Sequence, residues 1–144
     1  MNPLSPYTTL TLAYLDPSGA PQACAVFFAP TDRNSLVFTT SPSTLHGRSL
    51  SLDGRVAFTA HADRQSWATL TGIQGRGTCT LLTGPPRSAA LSLYLARFPF
   101  ISADDHLTTA LASSSLWALH PTWLRLIDNS QGFGHKQEWI FDRP

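Results

Sequence analysis

Through the first sixty positions apolar residues alternate with polar ones or gather in short β-branched and aromatic blocks, the pattern of strands rather than helices. Leu10, Leu12 and Tyr14 share one face. The turn residues Asp16-Pro17-Ser18-Gly19-Ala20-Pro21 separate them from Gln22 to Phe28, a run apolar on both faces and so predicted to lie centrally or inside a barrel. A second turn, Pro30 to Asn34, leads into Ser35 to Thr40. Strand character resumes at Arg55 to His61, with Val56, Phe58 and Ala60 on one face. These four segments are expected to form a meander that opens with a hairpin.

Between the third and fourth strands the pattern changes. Ser41-Pro42 offers a capping hydroxyl and a proline suited to a first helical turn, which predicts a short helix over Pro42 to Leu52, closed by Asp53-Gly54. Trp67 to Leu82 is too long for one straight strand, and Gly72, Gly75 and Gly77 mark where it can bend. Gly84-Pro85-Pro86 opens a helix with Leu91, Tyr94, Leu95 and Phe98 at helical spacing, a stripe expected to serve packing. Ser102, with Asp105 three positions on, is the expected cap of a further turn. Two last strands, Leu116 to Ile127 and Gln137 to Phe141, flank Asp128 to Gly134. About seven strands with two or three helices predict a mainly β fold, an antiparallel barrel with peripheral helices, and the missing βαβα alternation argues against a Rossmann domain.

The length of 144 residues is suited to a single domain, 1–144. Charged residues make up 13% of the chain, about half the roughly 25% of an ordinary soluble domain. With so little mutual repulsion, a self-association surface is expected. Ten basic and nine acidic residues are scattered without a run of one sign, unlike a binder of nucleic acid or of membrane surfaces. No apolar stretch reaches the ~18 residues of a membrane span, and residues 1–6 lack the pattern of a leader, so a cytoplasmic location is expected. Cys24 and Cys79 have neither metal nor disulfide spacing and read as buried, inert thiols. His61, His106, His120 and His135 share no ligand spacing, and no metal is assigned. No catalytic residue is identified. Trp67, Trp117, Trp123 and Trp139 are expected mostly in the core or an interface.

The richest stretch for chemistry is Phe38 to Arg48, where hydroxyl and basic side chains crowd the passage from strand to helix. Open amides and the positive end of a helix dipole favour an anion there, and the hydroxyls with His46 and Arg48 would complete a phosphate cradle. The same residues equally fit a capped helix whose His46 and Arg48 are simply solvated. Gly132-Phe133-Gly134 reads either as a hairpin tip with one anchoring aromatic or as a backbone approach to a ring that Phe133 covers. Lys136 would offer charge to an anionic ligand or sit solvated at a strand end.

The order Leu36-Val37-Phe38-Thr39-Thr40, Ser41 to His46, Arg48-Ser49-Leu50 and Asp53-Gly54-Arg55-Val56-Ala57-Phe58 resembles the FMN-binding split-barrel family typified by pyridoxamine 5'-phosphate oxidase. Arg97-Phe98-Pro99, Asp128-Asn129, Gly132-Phe133-Gly134, Lys136 and Trp139 resemble its YhbP-like branch. The resemblance implies a six-stranded antiparallel split β-barrel and a homodimer with FMN in the cleft between subunits. By position, Thr39 and Thr40 would hold the phosphate and ribityl region, with Ser41, Thr44, His46 and Arg48 around the phosphate. The backbone of Ala23 to Phe27, Ala25 at its centre, would lie along the isoalloxazine ring, and Phe133 and Lys136 would serve the ring or a substrate anion. The oxidases place an Arg-Lys pair where this chain has Leu45-His46, and their C-terminal substrate-phosphate motif has no counterpart, so vitamin oxidation is not expected. Two functions follow from the resemblance: a flavin-dependent oxidoreductase with unknown substrate, or a non-catalytic module that binds or senses flavin or haem.

Overall fold

The computed structural model describes residues 2–142, so Met1, Arg143 and Pro144 lie outside it. The elements run β1 (Thr9–Leu15), β2 (Pro21–Pro30), β3 (Leu36–Thr40), α1 (Leu45–Leu52), β4 (Arg55–His61), β5 (Thr71–Leu81), α2 (Gly84–Arg97), a 3-10 turn (Pro99–Ile101), α3 (Asp105–Ala112), β6 (Ser115–Asp128) and β7 (Lys136–Ile140). A second 3-10 turn, Asn129–Gln131, precedes β7. The strands are hydrogen-bonded in the order β3-β2-β1-β4-β5-β6-β7, and a β3–β6 pairing closes the first six into an antiparallel barrel. Its two neighbours on one edge divide β6: β3 takes residues 115–119 and β7 takes 123–127.

The expected hairpin forms because Asp16 organises it. Its carboxylate accepts from the amides of Ser18 and Ala20 at 2.9 and 3.0 Å, Gly19 takes a φ of 83°, and the Ser18 hydroxyl and Gln22 amide, with the Ala20 N–H, hold the carboxyl down at about 2. The expected meander ends after three strands. β4 pairs with β1 instead of β3, because β6 occupies the free edge of β3 from Leu36↔Leu119 to Thr40↔Ser115. Helix α1 carries the chain to the far side, burying Leu50 in the barrel.

Two helix starts differ from the sequence reading. Thr44 caps α1, its hydroxyl accepting from the Gly47 amide at 3.2 Å, so Ser41 and Pro42 belong to the preceding loop. Asp104 caps α3 by accepting from the Leu107 amide at 3.0 Å, and Ser102 only closes the 3-10 turn. A carboxylate at an N-cap both satisfies an open amide and faces the positive helix end, which a serine two positions earlier cannot do. Likewise β5 starts at Thr71, because Asn129 fastens residues 67–70 into a turn through the Trp67 and Leu70 carbonyls.

Inside the barrel, Leu10, Leu12, Val26, Phe28, Phe38, Phe58, Ile73, Trp117, Leu119 and Leu124 form one core. Gly75 is required there: a Cβ would stand inside the Phe58 ring. A second core lies outside the wall, where α2, the 3-10 turn and α3 press Tyr94, Phe98, Ile101 and Leu111 on Ala29, Val37 and Leu116. Arg97 ties the end of α2 to the N-terminal segment, donating to the Ser5 and Tyr7 carbonyls at 2.9 and 2.6 Å.

Candidate functional site

Side chains alternate across a strand, so the register sets which residues share the outer surface of β4-β1-β2. One row holds Ala57, Ala13 and Ala23, the next Thr59, Thr11 and Ala25, and the third Thr9 and Phe27. The first two rows contain only alanine and threonine, all exposed or half-buried. No helix covers this face among the described residues, and its small neutral side chains let a flat group or another sheet approach the backbone closely.

The edge of β2 adds directional chemistry. In an antiparallel ladder successive residues turn their amide and carbonyl to opposite edges. The Phe28 amide donates to the Thr8 carbonyl at 3.0 Å, so even-numbered residues of β2 serve β1, while the peptide groups of Ala23 and Ala25 point the other way. On that side β3 pairs only with Phe28 to Pro30. Among the described residues no strand covers the edge at Ala23 and Ala25, which leaves a row of donors and acceptors beside the alanine surface.

The end of β3 and the start of α1 follow directly on the last β2–β3 pair, Phe28↔Phe38. Continuing the register places Thr39 beside Phe27 on the outer face, whereas Thr40 turns inward and is buried. The Thr40 hydroxyl accepts from the Trp117 indole N–H at 2.9 Å. Ser41 is exposed and shares a hydrogen bond with Ser43, and Thr44 both caps α1 and donates to the Ser41 carbonyl at 2.8 Å. Gly47 permits this tight loop: a Cβ there would come within 2.8 Å of the Ser41 carbonyl and 3.2 Å of the Thr40 hydroxyl. Arg48 is exposed, and among the described residues it has no carboxylate partner. His46 leans on Tyr14, ring centroids 6.3 Å apart, and burial pushes its imidazole below the usual value, so it is neutral near pH 7.

The loop therefore gathers Ser41, Thr44 and Gly47 at the start of α1, with Thr39 outward beside Phe27, Arg48 exposed on the helix, His46 half-buried against Tyr14 and Thr40 turned into the wall. Phe133 and Lys136 are not brought to it. Thr39 pairs with Leu116 and Lys136 with Ile127, and from Leu116 to Ile127 the strand runs roughly 36 Å at ~3.3 Å per residue. Phe133 is 81% exposed and anchors nothing, between Gly132 and Gly134 in positive-φ conformations.

Three features escaped the sequence reading. A glycine inside a short helix is a signal, because it costs about 1 kcal/mol unless a close contact requires it, and Gly47 meets that description. Phe27 breaks a row of alanines on one strand face, also readable by alternation. The aromatic cleft that Phe27 forms with α2 has no local signal, since its walls come from separate elements. Cys79 is buried, its thiol pushed up to about 12, and Cys24 is half-buried with its thiol also raised by burial, as inert thiols should be. Trp117 is a core residue, the Trp123 ring meets the guanidinium groups of both Arg76 and Arg125, 5.2 and 4.9 Å from its centroid, and Trp67 is 83% exposed. No group of three or more metal-ligating side chains occurs among the described residues, and no helix is long and apolar enough to cross a membrane.

A closed six-stranded antiparallel barrel whose sixth strand is shared between two edge partners is a split β-barrel. Its sequence is 32% identical over 129 residues to a UPF0306 protein of Yersinia pseudotuberculosis, covering 88% of this chain and 82% of that one. The chain belongs to the UPF0306 family. No protein-family model matches it. Among solved structures it superposes on a haem binding protein from Mycobacterium smegmatis with a TM-score of 0.76 and 21% identity, over 96% of this chain. It spans only 55% of that longer protein. A Clostridium acetobutylicum protein related to general stress protein 26, of the pyridoxinephosphate oxidase family, gives a TM-score of 0.65 at 13% identity, over 96% of this chain and 89% of that one.

Proposed function

We propose that this protein binds FMN along the outer face of β2 and acts as a flavin-dependent oxidoreductase with a substrate still to be identified, as the resemblance to the FMN-binding split-barrel family implies. The observation that carries this is the uncovered edge at Ala23 and Ala25, beside an alanine and threonine surface and on the strand from which β3 departs into the Thr39 to Arg48 loop. The donor set fits the cofactor. Peptide groups of Ala23 and Ala25 match the alternating donors and acceptors of a pyrimidine ring edge, and alanine side chains leave room for a flat ring. Ser41, Thr44, the open amides at the start of α1 and the Arg48 guanidinium suit a phosphate. Thr39 would meet the ribityl chain, and Thr40, bonded to Trp117, would hold the strand end that presents it. FMN itself would supply the hydride or electron chemistry, with the chain orienting the ring and controlling access.

A second copy of the chain completes this reading. The two alanine and threonine rows carry no charged side chain, which suits pairing with a second copy, and a homodimer would place the cofactor between subunits. Phe133 and Lys136, far along β6 from the loop, would serve the cleft only from the partner.

Titration of the purified chain with FMN and with riboflavin tests the site. Replacing both His46 and Arg48 with alanine is expected to weaken FMN by ~1–3 kcal/mol and leave riboflavin unchanged. Equal losses for the two ligands would remove the phosphate role. The small-residue face and the haem-binding structural relative also support a haem-binding or sensing module. Haemin titration reads that alternative directly, through a Soret band where FMN produces no saturable quenching.

A further inference from the structure

We propose that the cleft between the outer face of β2 and β3 and the α2–α3 corner binds a small, uncharged, flat aromatic molecule. The cleft measures about 260 Å³ and is lined chiefly by Phe27, Thr39, Tyr94, Phe98, Phe100 and Leu107. At its centre Phe98 meets Phe27 edge-on, centroids 5.6 Å apart at 74°, and Phe100 at 6.2 Å and 67°, while Tyr94 is tilted against it at 4.9 Å.

Three large apolar side chains from three different elements stay open around this one depression: Phe27 is 53%, Phe100 57% and Leu107 37% exposed. Scattered apolar residues on a surface are ordinary, but a contiguous set rimming a cleft marks a binding place. Aromatic edges and faces already arranged for edge-on contact add a preference for a ring over an aliphatic chain.

The lining also states what the ligand is not. No charged side chain contributes to it, and its polar groups are the hydroxyls of Thr39, Tyr94 and Ser114. Burial pushes the Tyr94 phenol up, with Thr39 offsetting part of the rise, so it stays a neutral donor. A phosphate or carboxylate here would lose water without gaining a countercharge. The size narrows the class further: an apolar cavity of ~150 Å³ admits benzene, and pockets for drug-sized ligands start near 300 Å³, which leaves one or two fused rings.

Phe27 continues the outward row of Ala23 and Ala25. A ring in the cleft would therefore lie beside the flavin, and the molecule would be the oxidoreductase's substrate; that last step rests on the proposed function, whereas the cleft does not.

The test is calorimetric titration of the full chain, without added flavin, using 2-naphthol and its anionic counterpart 2-naphthoate. Saturable binding of about one naphthol per chain is expected, with naphthoate at least about tenfold weaker. Phe100→Ala should weaken naphthol about fivefold. Ala110→Trp, which fills the mouth from the exposed side of α3, should abolish naphthol binding while FMN binding, the circular dichroism spectrum and the thermal midpoint are retained. No saturation, equal binding of naphthoate, or full binding by Ala110→Trp would overturn the proposal. So would a wild-type dimer that excludes naphthol and falls apart on Phe27→Ala, since a second copy would then fill the cleft. Naphthol binding without FMN binding would overturn the flavin reading alone, and FMN binding without naphthol binding would overturn the cleft alone.

Discussion

The barrel wall has two outer surfaces of opposite character. Over β2, β3 and β6 the outward residues Ala29, Val37 and Leu116 are buried under α2 and α3, and the side chains above them are large. Over β4, β1 and β2 the first two outward rows are Ala57, Ala13, Ala23 and Thr59, Thr11, Ala25, and among the described residues no helix lies on them. Both surfaces are poor in charge, so charge does not explain which one is covered. Size does: the covered surface offers Val37 and Leu116 for helices to bury, while the first two rows of the bare surface offer only short side chains and backbone. A helix would gain little apolar area there, but a flat ring or a matching sheet gains close approach to the peptide edge.

The largest effect that would test this contrast comes from the covered side. Leu116 is fully buried, and Leu116→Ala is expected to cost about 2–5 kcal/mol, read by denaturant unfolding. On the bare side Ala13→Glu should alter the stability of the single chain by no more than about 0.5 kcal/mol yet convert the proposed homodimer to monomer in gel filtration. If Leu116→Ala costs little, the helices are not part of the core. If Ala13→Glu remains dimeric, the second copy sits elsewhere.

The sequence made some of this contrast legible and hid the rest for identifiable reasons. Val56, Phe58 and Ala60 announced β4 by alternation, and β4 spans the same residues, Arg55–His61, in the structure. The turn at Asp16 was equally plain, because its chemistry is local. Pairing partners were not legible: alternation says which face of β4 is buried but nothing about whether β1 or β3 lies beside it. That choice is made by β6, some sixty residues later, closing on β3. In the site, the hydroxyl loop was visible as composition, but its cap moved from Ser41 to Thr44 because Gly47 lets the loop fold onto the helix one turn later. The open edge of β2 was invisible, being a consequence of where β3 stops pairing.

A smaller effect sharpens the contrast at adjacent residues. Thr39 and Thr40 are chemically identical, yet one faces outward and the other accepts from the Trp117 indole at 2.9 Å inside the wall. Thr40→Val removes the acceptor and leaves a buried N–H unpaired, an expected cost of about 1–3 kcal/mol, and Thr40→Ser should recover most of it. Thr39→Val should leave stability within about 0.5 kcal/mol and weaken flavin instead. Equal destabilisation by both valines would mean that the two threonines share one environment and that the outward register at Thr39 is wrong.

The smallest effect is a pH dependence at His46, where the loop meets the barrel end. Desolvation against Tyr14 lowers the imidazole below its ordinary value of 6.5, so the unfolded chain takes up the proton first. Stability from this group is fully present above about pH 6.5 and declines as the pH falls through the depressed folded value. Thermal unfolding between pH 5 and 7 should show that slope, and His46→Gln should flatten it. A phosphate dianion bound in the adjacent loop would favour the imidazolium and raise the folded value again. An NMR titration of the His46 ring is therefore expected to move upward on adding FMN and to stay where it is on adding riboflavin. An unchanged curve with saturating FMN would place the phosphate out of reach of His46 and leave Arg48, with the hydroxyls of Ser41 and Thr44, as its only partners in the loop.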